Sequence, residues 1–245
     1  MLIEISGSVG QGGTNTSSDV LAVKQKLAEL GFEFFAMNGH VDSGLIAAIR
    51  LFQSILAGRS TVGSVDGRID VGGKTLRFMQ SANAPRWQTM PLEGTGFVNF
   101  EAKDRGDHHD FGTNWLAETI IGAGKAYQKA FRSNKPDAAP LTINDVSLPR
   151  GGDTPDHAGH ETGLVCDIRL PRKNGQSGGI KNPNTNKAYD RAAMRAQLKA
   201  LHAQPLFSRA LFNDHALIKQ GLCPWASGHN DHAHFEIRPP APKGA

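Results

Sequence analysis

Apolar residues recur every three or four positions in three stretches of the first eighty residues, and every second position in two stretches further on. Val20, Val23, Leu27 and Leu30 share one helical face, Gly31 offers a stop, and Asp19 is the expected N-cap, so a helix is predicted from Val20 towards Leu30. A second helix is predicted to begin near Ser43 and to bury Leu45, Ile49, Phe52 and Leu56. A third and shorter one follows Gly72-Gly73 and carries Leu76 and Met79. A weak repeat runs through this region. Val41-Asp42 leads into Leu51-Phe52-Gln53, and Val65-Asp66-Gly67 leads into Thr75-Leu76 and Phe78-Met79-Gln80. Two such turn-helix units pack together because neither hides its apolar face alone.

The stretch SANAPRWQTMPLEGT, residues 81–95, is rich in small residues and Pro and reads as a linker, with Trp87 available to dock it on a neighbour. The expected organisation is a helical unit over 15–82, a linker over 83–95 and an α+β unit over 96–240. In the last unit helices are predicted from Trp115 to Phe131 and from Arg191 to Leu201. Ala210-Leu211-Phe212 is a short strand candidate, and the tail PPAPKGA is expected to be loose. Period-two alternation sets Leu164, Cys166 and Ile168 against Val165, Asp167 and Arg169. It likewise sets Ala233, Phe235 and Ile237 against His232, His234, Glu236 and Arg238.

Composition narrows the class. The 245 residues are 39% hydrophobic and 20% charged, enough for a folded core. No run approaches the roughly 18 apolar residues of a membrane helix. Two cysteines exclude a disulfide scaffold, and Cys166, on the apolar face of its strand, reads as a buried, inert thiol. The net charge of +4 suits an anionic polymer but falls short of a concentrated nucleic-acid patch. The N-terminus MLIEISGSVGQGGTNTSS shows no basic n-region and no long apolar segment, so no secretory signal peptide is expected.

Histidine is concentrated in DTPDHAGHETGLVCDIRLP (153–171) and GHNDHAHFEIRPP (228–240), which hold five of the ten: His157, His160, His229, His232 and His234. By itself a His-x-His on a strand reads as an exposed or hydrogen-bonded pair. If the two strands are neighbours, however, His160, Asp167 and His234 converge. Two imidazoles and a carboxylate suit zinc and leave a fourth position for water. His108-His109, between Asp107 and Asp110, is set aside because adjacent residues of an extended chain point apart. His40, His202 and His215 read as ordinary surface or packing residues.

His160-x-x-Gly163-x-x-x-Asp167 followed by His232-x-His234 resembles the zinc superfamily of lysostaphin-type enzymes, D-Ala-D-Ala peptidases and Sonic hedgehog. His229-x-x-His232-x-His234, Leu148-Pro149-Arg150-Gly151-Gly152 and Leu211-Phe212-Asn213-Asp214 bring it closer to the penicillin-insensitive murein endopeptidases. The resemblance covers roughly Gly96 to Pro239. Gly159 departs from it, standing where Ser is usual. It implies Zn2+ on His160, Asp167 and His234, with His232 and His229 beside the metal and His157 at the rim. The reaction implied is hydrolysis of peptide cross-links in murein. His232 is the expected transition-state donor or general base, with Asp231 as the rival base, usable only if the strand starts after it. Arg169 is a candidate for a stem-peptide carboxylate, or forms an ordinary salt bridge.

Residues 20–31, 41–53 and 65–76 resemble a three-helix peptidoglycan-binding domain. The implied fold is therefore α+β: a small three-helix domain followed by a zinc peptidase domain with a central antiparallel sheet. Peptidoglycan is the expected partner, with no nucleic acid, no membrane insertion and a monomeric state. The expected route is synthesis in the cytoplasm and action on the wall after holin release or delivery by a secretion machine, the latter implying an immunity protein. Two alternatives stay open: a wall-binding protein with a vestigial zinc site, and a zinc amidase cutting the sugar–peptide bond.

Overall fold

Residues 3–102, 108–155 and 157–244 are described by a computed structural model. The first eighty residues form β1 (Val9–Gly10), α1 (Ser17–Glu29), α2 (Ser43–Leu56), β2 (Arg68–Ile69) and α3 (Lys74–Gln80), with β1 and β2 paired antiparallel. The apolar spacing translates directly: Val20, Val23, Leu27, Leu45, Ile49, Phe52, Leu76 and Met79 are buried.

The cap of α1 differs from the sequence expectation. Thr16 is the N-cap, and Asp19 lies in the first turn. The Asp19 carboxylate instead accepts the Ser6 and Gly7 N–H groups and the Ser6 hydroxyl, tying the segment before the helix onto it. In α2 the Asp42 side chain accepts the Leu45 N–H at 2.8 Å, a regular N-cap. It also meets the ammonium of the fully buried Lys24 at 2.8 Å, which donates in addition to the carbonyls of Ala36 and His40. The second unit of the repeat is looser than the first. Asp66 holds Arg68 N–H and Gln53 in a turn before β2, and α3 has Gly73 at its N-cap, which supplies no side-chain bond.

The chain continues through β3 (Trp87–Thr89), β4 (Glu93–Gly94), β5 (Phe97–Asn99), β6 (Phe111–Thr113) and α4 (Asn114–Tyr127), which runs into a π-helical turn at Gln128–Arg132. Then follow β7 (Leu141–Ile143), β8 (Val165–Arg169), α5 (Arg191–His202), β9 (Phe207–Leu211), α6 (His215–Ile218) and β10 (His232–Ile237). The main sheet has the order β4-β5-β7-β8-β10-β9, and β3 pairs with β6 separately. It is a mixed sheet, not the antiparallel one expected. β5 and β7 run parallel because α4 carries the chain across between them, whereas the other pairings are antiparallel.

Cys166, Ile168, Ala233, Phe235 and Ile237 point into a core shared with Ile120 and Tyr127 of α4 and Met194 and Leu198 of α5. The same apolar cluster continues into the helices of the first eighty residues. Trp87 stands at the junction. Its ring is 5.9 Å from Phe32, its backbone N–H donates to Leu30, and its indole N–H donates to the Pro149 carbonyl at 2.8 Å. The stretch read as a linker thus contributes β3 and β4. The tail is irregular but anchored: Ala82 N–H donates to the Lys243 carbonyl, and Asn83 bonds Ala241 and Lys243. Among the described residues no helix is long and apolar enough to cross a membrane.

Candidate metal centre

β8 and β10 are hydrogen-bonded neighbours, and their register sets His234 directly opposite Asp167 and His232 opposite Arg169. The alternation read from the sequence therefore becomes a meeting of side chains. His234 Nδ1 lies 2.9 Å from Asp167 Oδ1 and 3.2 Å from His160 Nε2, and His160 Nε2 lies 3.3 Å from the same carboxylate oxygen. All three residues are buried.

His160 reaches this point from the turn before β8, with φ of +65°, a left-handed conformation uncommon for a non-glycine residue. Its neighbours hold the turn in place. Glu161 N–H donates to the Ser60 carbonyl, the Glu161 carboxylate accepts the Val62 N–H at 2.7 Å, and the Thr162 hydroxyl donates to the Arg59 carbonyl. Gly163 closes the turn. With φ of +63° it passes so close to Gly112 that a Cβ would collide with that backbone.

Both imidazoles are oriented through their second nitrogen. His160 Nδ1 lies 2.9 Å from the Val146 carbonyl, which turns Nε2 towards Asp167. His234 Nε2 lies 3.4 Å from Glu236, which Arg209 holds at 2.7 Å. Such partners fix ring orientation and tautomer at metal sites. Burial alone would raise the Asp167 carboxyl, but hydrogen bonds from His160 and His234 outweigh it and hold the group far below the usual carboxylate range. Burial would lower the His234 imidazole, yet contact with Asp167 and then Glu236 raises it to about 9. Glu236 is correspondingly lowered to about 2: burial opposes this, and His234 and Arg209 prevail.

The remaining predicted residues surround this point. β10 begins at His232, so Asp231 is free of the strand alternation. Its carboxylate accepts the His232 Nδ1–H at 2.9 Å, while His232 Nε2 stands 3.5 Å from Asp167 Oδ2. The His229 ring lies 5.0 Å from His232 and 5.6 Å from His234, and its Nδ1–H donates to the Ser227 carbonyl. Burial lowers its pKa and favours the neutral ring. The His157 ring is 4.5 Å from His160, with Nε2 3.3 Å from Asp145. Arg169 stacks on Phe100 at 3.6 Å, against the backbone of Gly178, and donates to Asn144 rather than to an acid.

Two clefts flank the centre. One, of about 360 Å³, is walled by Asp145, Arg169, Lys181, Asp231 and His232. The other, of about 460 Å³, is walled by Ser60, His160, Arg209, His229 and His234.

Several contributors were missed in the sequence. Asp145 sits just past β7, and burial would raise its carboxyl, but His157 holds it lowered. His109 is buried against His157, with the rings 5.6 Å apart; Asp107 lies outside the described residues. Asn213 holds the His229 loop by bonds to Ala226 and Asn230, and Asp214 caps α6. The doublet His108-His109 and the carboxylate of Asp145 were visible as letters, but no local spacing connects them to His157.

His157, His160 and Asp167 present ligand atoms within 4.8 Å of one another. His234 is the better third partner for that pair, because its Nδ1 faces both, while His157 Nε2 is turned to Asp145. Fold and site together define an α+β protein with a mixed sheet and buried His/Asp groups that can hold a metal ion. The chain matches no known family model, and no curated protein matches it.

Proposed function

We propose that the protein is a zinc-dependent peptidoglycan hydrolase that cuts peptide cross-links between stem peptides, akin to the murein endopeptidases its motifs resemble. The observation that carries this reading is the meeting of His160, Asp167 and His234 beside the His232–Asp231 pair. Two imidazole nitrogens and one carboxylate oxygen are a donor set suited to zinc. His160 would bind through Nε2, Asp167 through a carboxylate oxygen and His234 through Nδ1, the atoms that already face one another. A zinc ion held there supplies Lewis acidity for amide hydrolysis.

The protein groups divide the remaining work. Asp231 keeps the His232 proton on Nδ1, so that Nε2 can take a proton from the attacking water and return one to the leaving amine. His229 offers a neutral imidazole to the substrate at the edge of the second cleft. Arg169 and Lys181 draw stem-peptide carboxylates into the first. The N-terminal helices act as the wall-binding unit and raise the concentration of cleavable bonds at the centre. Delivery to the wall is by holin release or by a secretion machine, with an immunity protein in the latter case.

The test measures zinc content and murein digestion together. Asp167→Asn and His234→Ala are expected to lower the zinc content and abolish digestion, and a variant that kept both at the level of the unmodified protein would overturn the reading. Mass analysis of fragments from the unmodified enzyme should show new amino termini within the stem peptides. Release of intact stem peptides from the sugar would instead establish an amidase.

A further inference from the structure

We propose a second divalent-cation site, formed by His109, Asp145 and His157, beside the His160–Asp167–His234 centre. Its three ligand atoms lie within 4.8 Å of one another. The rings of His109 and His157 stand nearly perpendicular, at 89°, with centroids 5.6 Å apart, and His157 Nε2 is 3.3 Å from Asp145 Oδ2. The donor set repeats that of the first centre: two imidazoles and one carboxylate. Nitrogen donors select a zinc-like transition-metal ion over magnesium or calcium, which favour oxygen.

One backbone segment positions both sets. The Asp145 carbonyl accepts the Asp167 N–H at 2.9 Å, and the Asp167 carbonyl accepts the Asn144 N–H at 2.8 Å, so the two carboxylate-bearing residues sit side by side. The next residue, Val146, donates its N–H to the His109 carbonyl at 2.7 Å and accepts the His160 Nδ1–H at 2.9 Å. His109 is buried, whereas Asp145 and His157 are half-buried and open onto the cleft of about 360 Å³ that Asp167 and His232 also line. An ion there is reachable from solvent and adjoins the first. A second ion there would add positive charge beside the first and help neutralise negative charge that develops on reacting oxygens. In the hydrolase proposed above, that places the second ion on the side of Arg169 and Lys181, where a substrate carboxylate would enter.

The test is metal stoichiometry on the full chain. Protein stripped with a chelator is titrated with Co(II) and then with Zn(II), followed by calorimetry and elemental analysis. Two equivalents per chain are expected for the unmodified protein. His109→Ala and Asp145→Asn should each bind one, and His234→Ala should also fall by one. Saturation of the unmodified protein at one equivalent overturns the proposal, whatever the variants do, and so does a folded His109→Ala that still takes up two. Two bound ions without murein cleavage would count against the hydrolase reading and leave this site standing.

Discussion

At the scale of single residues, His234 joins a core strand to the candidate metal centre, and its proton would link metal binding there to pH. In metal-free protein its pKa is raised from 6.5 to about 9, so the stabilisation it gives is complete below 6.5 and is lost as pH rises through 9. Asp167 is lowered from 3.8, so its contribution is present above that value and fades as pH falls below it. A metal ion held as proposed would replace the His234 proton and so bind more tightly as pH rises. The difference in melting temperature between metal-loaded and metal-free protein should therefore widen from pH 6.5 to pH 9, and scanning calorimetry at several pH values would show a flat difference if this linkage is wrong. His232→Ala is expected to lower kcat by about 10²–10⁴-fold while leaving bound zinc unchanged. Loss of metal in that variant would make His232 a ligand. Ligand types and the strand alternation were legible because each depends on near neighbours in the chain. Asp145 and His109 were not, since their approach to His157 is set by β7 and by the turns around it.

At the scale of elements, strand β10 is held by its apolar face. Ala233, Phe235 and Ile237 are buried, and Phe235 is fully so. Phe235→Ala should cost about 3–5 kcal/mol of stability, measured by urea unfolding, and should weaken metal binding because His234 loses its rigid mount. In the helical unit, the buried Lys24 ammonium ties residues 36–42 to α1. Lys24→Met leaves the Ala36 and His40 carbonyls without that donor, and a loss of about 2–4 kcal/mol is expected. A change within experimental error would mean the loop repacks freely. Helix positions were readable because a three/four spacing of apolar residues needs only a core to face. The cap of α1 was not, because Thr16 and Asp19 are both capping residue types and the choice rests on Ser6 and Gly7 occupying the Asp19 carboxylate.

At the scale of the whole molecule, the helices of the first eighty residues share one apolar cluster with the sheet, and Trp87 packs between them. Residues 59–62 also brace the turn that carries His160. Calorimetric unfolding should accordingly show a single transition in which the near-UV signal and bound metal are lost together. Two well-separated transitions would mean that the two halves are energetically independent. Glu161→Gln weakens the bond to the Val62 N–H and is expected to lower metal affinity more than it lowers the melting temperature, since it acts on the strained turn and not on the core.

The amino-acid order alone determined where the longer helices and the two histidine-bearing strands form, which faces of those strands are apolar, and that His160, Asp167 and His234 are chemically suited to one ion. These follow from periodicity and side-chain chemistry, which are local. The three-dimensional packing decided that β8 and β10 lie side by side in a register opposing Asp167 to His234, that β5 and β7 run parallel, and that Asp145, His109 and the 59–62 loop belong to the same neighbourhood. Those outcomes depend on which distant surfaces bury each other, and no spacing along the chain encodes that.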